Sequence, residues 1–517
     1  MNKFIKITGI TKIIAIIFIT RITVGCHGAL DPIDYSEINP SIFPKTEEDL
    51  KSLVLSCYNP LRSDWWNGIN SLSERGQMFV NDCCTELLYQ DWGAARYCSE
   101  LAFNETHGEI TYFYYTRSAP NGFHNKISRC TLVKDAIDNS SLSIELKNRY
   151  NAEVQCARAY LSYILFDMYG PLVVAPLEVL KSPLNETPLP RLSNDEMVKF
   201  IEDDLLFAAE HLPAPRQTEY GKFSKGLAKM LLIRLYLHET VRDKSYYNKV
   251  ETLAREMMEP SFGYSLVNSY PSLFEFRGMN AQNKEYIFVI PCNYEGTSVN
   301  HWQREVMPSD FPGLGGWHMA RCTWWFYDTF EANDARKTYI ITEYKAGNNV
   351  YNRSNPGGDS YFQYGPIPQK YEMDFKANSY DGRSALDCVV YRYADVLLSL
   401  AEAIVMKPGG SVTGEAIELL NTIRRRAGLE NMVWKSNSPT QQEFIDQLLT
   451  ERSHEFWCES GQYRADLIRH DKLYDRVMEL NNNIAPFASK DKYLYPLPLS
   501  VIVDGKGLVL QNPGYGQ

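Results

Sequence analysis

Two apolar segments with helical spacing, separated by a glycine break, dominate the C-terminal part of this chain. Apolar side chains recur every three to four residues over 393–404 and again over 416–427. Between the two segments, Lys407-Pro408-Gly409-Gly410 breaks the helical pattern. Gly428 follows the second segment, where a glycine commonly ends a helix. The sequence therefore predicts two antiparallel helices, and such a pair needs further helices to bury its apolar face.

Further helical segments lie upstream and downstream of this pair. Thr46-x-x-Asp49, Ser193-x-x-Glu196 and Thr440-x-x-Glu443 are capping boxes or close relatives of them. Apolar spacing predicts other helices over 124–138, 148–168, 194–210, 222–240 and 244–258. Consecutive helix pairs bury their apolar faces by stacking. We therefore expect a mainly α fold of tetratricopeptide-like stacked helix pairs, with long aromatic-rich loops and a few short strands.

Several short motifs stand in a characteristic order along the chain. They are Tyr169-Gly170, Pro190-Arg191-x-Ser193, Glu451-Arg452-x-x-Glu455-Phe456-x-x-Glu459, Arg464-x-Asp466-Leu467-x-Arg469 and Gln511-Asn512-Pro513-Gly514-Tyr515. Together with the helix pair, these motifs resemble the SusD/RagB family of surface nutrient-binding lipoproteins. The resemblance extends over nearly the whole chain.

The resemblance implies a SusD-like α/α superhelix at the bacterial outer membrane, facing outward beside a TonB-dependent transporter of the SusC type. The protein would present a glycan ligand to that transporter. We expect a single body over 26–517, with helix pairs in an N-terminal part of about 27–285 and the family motifs in a C-terminal part of about 286–517. No cofactor is expected, and the sequence leaves open whether a metal ion is bound.

The N-terminus carries the features of a bacterial lipoprotein signal. A basic start precedes an apolar run over 13–19, and Gly25-Cys26 supplies a small residue followed by a thiol. We predict a signal peptide over 1–25 and lipidation of Cys26, which would anchor the protein to the outer membrane. The competing interpretation, a transmembrane helix, needs about 20 apolar residues, and this run is far shorter.

The net charge argues against one class of partner, and the cysteine spacing argues against a metal site. The formal net charge is −10, and nucleic-acid binding needs a basic face, so no nucleic-acid partner is expected. Ten cysteines remain after Cys26, and they show no metal-ligand spacing. They could form disulfides in an oxidising compartment. We favour the interpretation that most of them are small buried residues.

Two long segments without helical spacing, 58–121 and 286–390, are rich in Gly, Asn, Pro and aromatic residues. We predict that they are ordered loops on the helical scaffold, where binding residues usually lie. Aromatic rings can cover the C–H face of a sugar, while guanidinium and amide groups bond its hydroxyls. The predicted glycan-binding residues are Trp65, Trp92, Arg96, Trp302 and Trp317, with Asn67, Asn70, Asn300 and Arg304 as polar neighbours. The alternative is that these tryptophans belong to the core.

No catalytic arrangement emerges from the sequence, so the protein is predicted not to be an enzyme. His454-Glu455 begins like the H-E-x-x-H zinc motif, but Cys458 stands in place of the second histidine. Two alternatives to glycan binding remain. One is a protein that binds a peptide ligand. The other is a glycoside hydrolase, whose catalytic carboxylates would be Asp82 with Glu86, or Asp310. Three glutamates share one helix face, and we predict that they form a structural ion network with three arginines: Glu451, Glu455 and Glu459 with Arg452, Arg464 and Arg469.

Overall fold

The computed structural model describes residues 44, 46–65, 68–90, 95–114, 122–182, 184, 187–357, 362–480 and 488–516. The predicted signal peptide and Cys26 lie outside these residues, so both stay predictions. The chain divides into two compact units, 1–49 and 50–517. In the first unit, Thr46 and Asp49 exchange the hydrogen bonds that their spacing predicted, at 2.9 and 3.1 Å.

Helices account for most of the regular structure. In chain order they are α1 Glu47–Tyr58, α2 Gln77–Cys83, α3 Ala95–Ser99, α4 Gly108–Thr111, α5 His124–Asp138, α6 Ile144–Tyr169, α7 Leu177–Leu180, α8 Asn194–His211, α9 Lys225–Glu239, α10 Tyr246–Met258, α11 Trp302–Val306, α12 Trp324–Asp328, α13 Tyr393–Met406, α14 Gly414–Arg426, α15 Gln441–Phe456, α16 Tyr463–Arg469, α17 Leu473–Leu480 and α18 Leu499–Asp504. None of the helices in these described residues is long and apolar enough to cross a membrane.

The long helices pack in a continuous row. Helix α5 packs on α6, α6 on α8, α8 on α9, α9 on α10, α10 on α13 and α13 on α14. The core runs along this row, and most of α6, α9 and α13 is buried. The expected mainly α fold with stacked helix pairs is therefore confirmed.

The helix ends follow from local chemistry. Ser193 and Glu196 form a complete capping box at the start of α8, as Thr440 and Glu443 do for α15. Helix α6 begins earlier than predicted because Ser143 accepts a hydrogen bond from the Leu146 amide. Gly428 has a φ of +83° just after α14, the left-handed conformation expected of a glycine at this position.

Eight short strands form four two-stranded antiparallel ladders among the described residues. The strands are β1 Leu88–Tyr89, β2 Tyr286–Ile290, β3 Arg321–Cys322, β4 Ile340–Ile341, β5 Glu343–Ala346, β6 Asn349–Asn352, β7 Ile367–Pro368 and β8 Cys388–Arg392. They pair as β1–β3, β2–β8, β4–β7 and β5–β6. The segments predicted as loops, 58–121 and 286–390, thus also contain short helices and strands. The β1–β3 ladder joins one segment to the other, with Leu88 opposite Cys322.

The charge motif of α15 is structural, but its partners differ from those predicted. Glu455 is fully buried and pairs with Arg336, Arg392 and Arg426. Arg464, one of the three arginines predicted for this network, instead donates to the Tyr493 carbonyl. The prediction of a structural network is confirmed, but Arg464 was the wrong partner because the arginines that reach Glu455 come from other elements.

Further ion pairs extend the network. Glu451 pairs with Arg336 and Arg424, and Glu459 pairs with Arg392 and Lys370. Arg452 and Arg469 instead bind Asp466, at 2.6 and 2.9 Å. All ten cysteines after Cys26 are buried free thiols, as the favoured interpretation of the sequence held.

Candidate functional site

The two aromatic-rich segments meet on the described part of the structure. The Val299 amide donates to the Ser63 carbonyl at 2.8 Å, and the Ser63 hydroxyl donates to the Val299 carbonyl at 2.7 Å. Together with the β1–β3 ladder, these hydrogen bonds hold the two segments next to each other, although they are far apart in the sequence. Tertiary pairing, rather than local structure, therefore builds the site.

Trp65 and Trp317 form the centre of this site. Their ring centroids lie 4.3 Å apart at an interplanar angle of 44°, and both side chains are half-buried. The Trp65 indole N–H donates to Glu74 Oε1 at 3.2 Å, and the Trp317 amide donates to the Arg304 carbonyl at 2.8 Å. These hydrogen bonds hold the two tryptophans in place at an angle to each other. Their rings are still partly accessible. An apolar ligand face could stack there.

Arg304 covers one side of the tryptophan pair. Its guanidinium carbon lies 4.6 Å from the centre of the Trp317 ring, and Nη1 bonds Asp381 at 2.9 Å. Gly382 makes this approach possible: its φ is +75°, and a Cβ there would lie 2.5 Å from Arg304 Cδ. Arg304 was predicted as a polar neighbour of the site, and the structure places it against Trp317.

His301 lies beside Trp65, and the centroids of their rings are 5.5 Å apart. An antiparallel bridge between Asn300 and Ser384 brings Arg383 next to His301. Burial, with the nearby Arg383 charge, lowers the pKa of His301 to about 4. The imidazole is therefore neutral at physiological pH and can serve as a hydrogen-bonding group.

A second aromatic pair, which the sequence did not single out, borders the site. Tyr294 and Tyr380 stack with centroids 4.8 Å apart at 27°, and the Lys376 ammonium lies 4.3 Å from the Tyr294 ring. From Tyr380 the chain runs directly into Asp381 and Gly382, which hold Arg304. Tyrosines in the same glycine- and asparagine-rich segments were the signal that could have identified this pair.

The remaining predicted site residues do not join the tryptophan pair. Trp302 is fully buried, and its indole N–H donates to the Pro368 carbonyl at 2.7 Å. Its prediction as a glycan-binding residue is wrong, because a ring enclosed by protein cannot stack on a sugar. Asn70 and Asn300 are also buried: Asn70 bonds Leu61, and Asn300 Oδ1 accepts from the Trp302 amide at 3.0 Å.

The structure does not describe the side chains of three other predicted site residues. Trp92 and Asn67 lie outside the described residues, and Arg96 belongs to α3 but its side chain is outside them too. Their roles in binding stay predictions.

The carboxylates considered for hydrolysis are bonded to other parts of the protein. Asp82 and Glu86 are buried, where Asp82 accepts from the Cys458 amide and Glu86 from Tyr463. Asp310 accepts from the Tyr344 hydroxyl at 2.8 Å. Within the described ranges, no group of three or more histidine, cysteine, aspartate or glutamate side chains could hold a metal ion.

One carboxyl pair does lie beside the tryptophans, but it does not have the spacing of a glycosidase. Glu305 is fully buried, and its carboxyl faces that of Glu74. Glycosidases keep their two carboxyl groups about 5 to 9.5 Å apart, so that the sugar or a water fits between them. A directly touching pair leaves no such room.

Comparison with known proteins gives a consistent result. Residues 319–515 match the SusD family. The chain is 24% identical to the starch-binding protein SusD of Bacteroides thetaiotaomicron, over 71% of this chain and 73% of that protein. A SusD-like protein of Formosa agariphila is 21% identical over 95% of this chain and 96% of its own length.

Solved structures share the fold along nearly the whole chain. A SusD superfamily protein from Bacteroides vulgatus has a TM-score of 0.73 at 21% identity, over 91% of this chain and 99% of its own. Surface glycan-binding protein A from Bacteroides fluxus has a TM-score of 0.68 at 21% identity, over 91% and 100%. The class is thus a mainly α protein with the SusD-like fold. By sequence and by fold, the chain is similar to the SusD/RagB family.

Proposed function

We propose that this protein captures an oligosaccharide or polysaccharide at the cell surface and passes it to a SusC-type TonB-dependent transporter. The observation that carries the proposal is the meeting of Trp65 and Trp317, half-buried and 4.3 Å apart, at the junction of the two aromatic-rich segments. In a chain with a well-filled core, such a pair at the surface is suited to stacking on a pyranose.

The groups around the pair suit the polar edge of a sugar. Arg304 and Arg383 offer guanidinium donors, and neutral His301 and the Asp381 carboxyl offer acceptors for hydroxyl groups. Tyr294 and Tyr380 add aromatic surface next to Asp381, which would suit a ligand longer than one sugar ring. Relatives named as a starch-binding protein and as a surface glycan-binding protein support the same ligand class.

Anchoring and the transporter partner form the second part of the proposal. Lipidation at Cys26 would hold the body at the outer membrane, since acyl chains stabilise membrane association by about 0.8 kcal/mol per buried methylene. Delivery to a SusC-type transporter rests on the similarity to the SusD family, which also leads us to place the protein on the outward face.

A binding panel tests the ligand class. The soluble body, 26–517 with Cys26→Ser, is offered soluble starch, other neutral and acidic glycans, and peptides in affinity electrophoresis and calorimetry. We expect saturable binding to at least one glycan and no release of cleavage products on long incubation. Binding to peptides alone would overturn the glycan assignment, and product release would identify a hydrolase.

A further inference from the structure

A pair of acidic side chains lies directly behind Trp65. Glu74 Oε1 accepts the Trp65 indole N–H at 3.2 Å, and the carboxyl of fully buried Glu305 faces Glu74. Glu74 Oε2 and both carboxyl oxygens of Glu305 are buried, and the Glu74 amide lies toward the Glu305 carboxyl. Three buried acceptor oxygens therefore meet behind the aromatic pair, with too few donors among the described residues to satisfy them.

A shared proton resolves this arrangement. Two ionised carboxylates repel each other and cannot hydrogen-bond, whereas a protonated carboxyl can donate its O–H to the neighbouring carboxylate. Burial, together with the charge of Glu74, raises the pKa of Glu305 well above its ordinary value. Glu305 is thus the carboxyl of the pair that holds the proton, and its O–H can donate to Glu74.

We propose that Glu74 and Glu305 share one proton and act as positioning residues that hold the Trp65 ring in its orientation for ligand stacking. Loss of that proton at alkaline pH leaves two buried negative charges in contact. The pair then separates or hydrates, and the hydrogen bond from Trp65 to Glu74 weakens. The consequence for the ligand rests on the proposed glycan-binding function, whereas the proton sharing itself does not.

Several other charged or titratable groups surround the pair. Arg75 lies 3.6 Å from Glu74, and Arg304 lies near Glu305 and bonds Asp381. Guanidinium groups stay charged throughout. His301, whose carbonyl accepts the Glu305 amide, becomes neutral near pH 4, and Asp64 is paired with Arg62 at 2.9 Å. Tyr112, which Arg75 covers, has a pKa raised by burial above its ordinary value.

The test follows Trp65 without any ligand. Acrylamide quenching of tryptophan fluorescence is measured between about pH 6 and about pH 10, in the full soluble body and in the same body with Trp65→Phe. The difference isolates Trp65. We expect quenching of Trp65 to increase at least twofold toward alkaline pH, without thermal unfolding over that range. Glu305→Gln keeps an N–H donor toward Glu74 but cannot ionise, so this variant should show no transition.

Asp82→Asn is the matched control, because burial also raises the pKa of Asp82, to about 8, in a carboxyl that bonds the Cys458 amide instead of the tryptophan pair. The Trp65 transition should persist in that variant. A flat wild-type profile, or a transition that survives Glu305→Gln, overturns the proposal. If no glycan of the panel binds while the transition is present, the proposed function fails and the shared proton stands.

Discussion

At the scale of single residues, the most consequential side chain of the scaffold is Glu455. It is fully buried, and Arg336, Arg392 and Arg426 all contact its carboxylate. Burial alone would raise its pKa, but the three guanidiniums outweigh burial and lower it below its ordinary value. The carboxylate is therefore ionised in the folded state even in mild acid.

Removing this carboxylate should leave three buried cations without their common partner. We expect Glu455→Ala to lower the free energy of unfolding by about 3 to 5 kcal/mol, as measured by chemical denaturation at neutral pH. Glu178→Ala, in exposed α7, is the control and should change it by less than about 0.5 kcal/mol. Equal stability of the two variants would mean that the arginines find other partners.

The difference in unfolding free energy between wild type and Glu455→Ala should also depend on pH, and the sign of this dependence can be predicted. A carboxyl whose pKa is lowered by folding stabilises the protein above its unfolded pKa, and this contribution is lost as the pH falls toward the folded pKa. The difference in stability between wild type and Glu455→Ala should therefore shrink on acidification below about pH 4.5. A difference that grows in acid would contradict the assignment.

At the scale of elements, the ends of α14 offer a clean comparison between two glycines. Gly414 begins the helix with open space around it, and Gly428 follows its end at a φ of +83° with ordinary room for a Cβ. Space does not distinguish them, but backbone conformation does. A left-handed conformation strains any residue with a Cβ.

Gly428→Ala should destabilise the protein by about 1 to 2 kcal/mol, whereas Gly414→Ala should leave it unchanged or stabilise it by up to about 1 kcal/mol. Thermal melting of the two variants beside wild type decides this. Indistinguishable melting temperatures would show that the end of α14 does not require a left-handed residue.

Elements such as α5, α8 and α14 could be predicted because apolar spacing and capping residues act over a few positions. The site could be predicted only in part. From sequence, Trp302 and Trp317 look alike, since both stand among polar and glycine residues. Their difference arises from tertiary contacts: Trp302 is enclosed and bonds Pro368, while Trp317 meets Trp65 across two segments. No local pattern encodes that pairing, nor the contact of Glu74 with Glu305.

At the scale of the whole molecule, the helical row supports loops that together carry the aromatic site, and the proposed lipid anchor would hold this body at the membrane. Because a thiol at position 26 is the acylation site that Gly25-Cys26 offers, Cys26→Ser should release the protein from membranes or leave an unprocessed precursor. Cell fractionation with labelled fatty acid measures this, with Cys57→Ser, at a buried thiol of the body, as the control. A Cys26→Ser protein that stays lipid-labelled in the membrane pellet would rule out this anchor.

The central claim is that Trp65 and Trp317 bind a glycan, and truncating individual tryptophans tests it most directly. Calorimetric titration with the glycan found in the panel is combined with thermal melting for Trp65→Ala, Trp317→Ala and Trp302→Ala. We predict that the first two keep near-wild-type melting temperatures and lose affinity at least tenfold, about 1.4 kcal/mol. Trp302→Ala should instead cost about 3 to 5 kcal/mol of folding free energy. Wild-type affinity in both Trp65→Ala and Trp317→Ala would contradict the claim and place the ligand elsewhere.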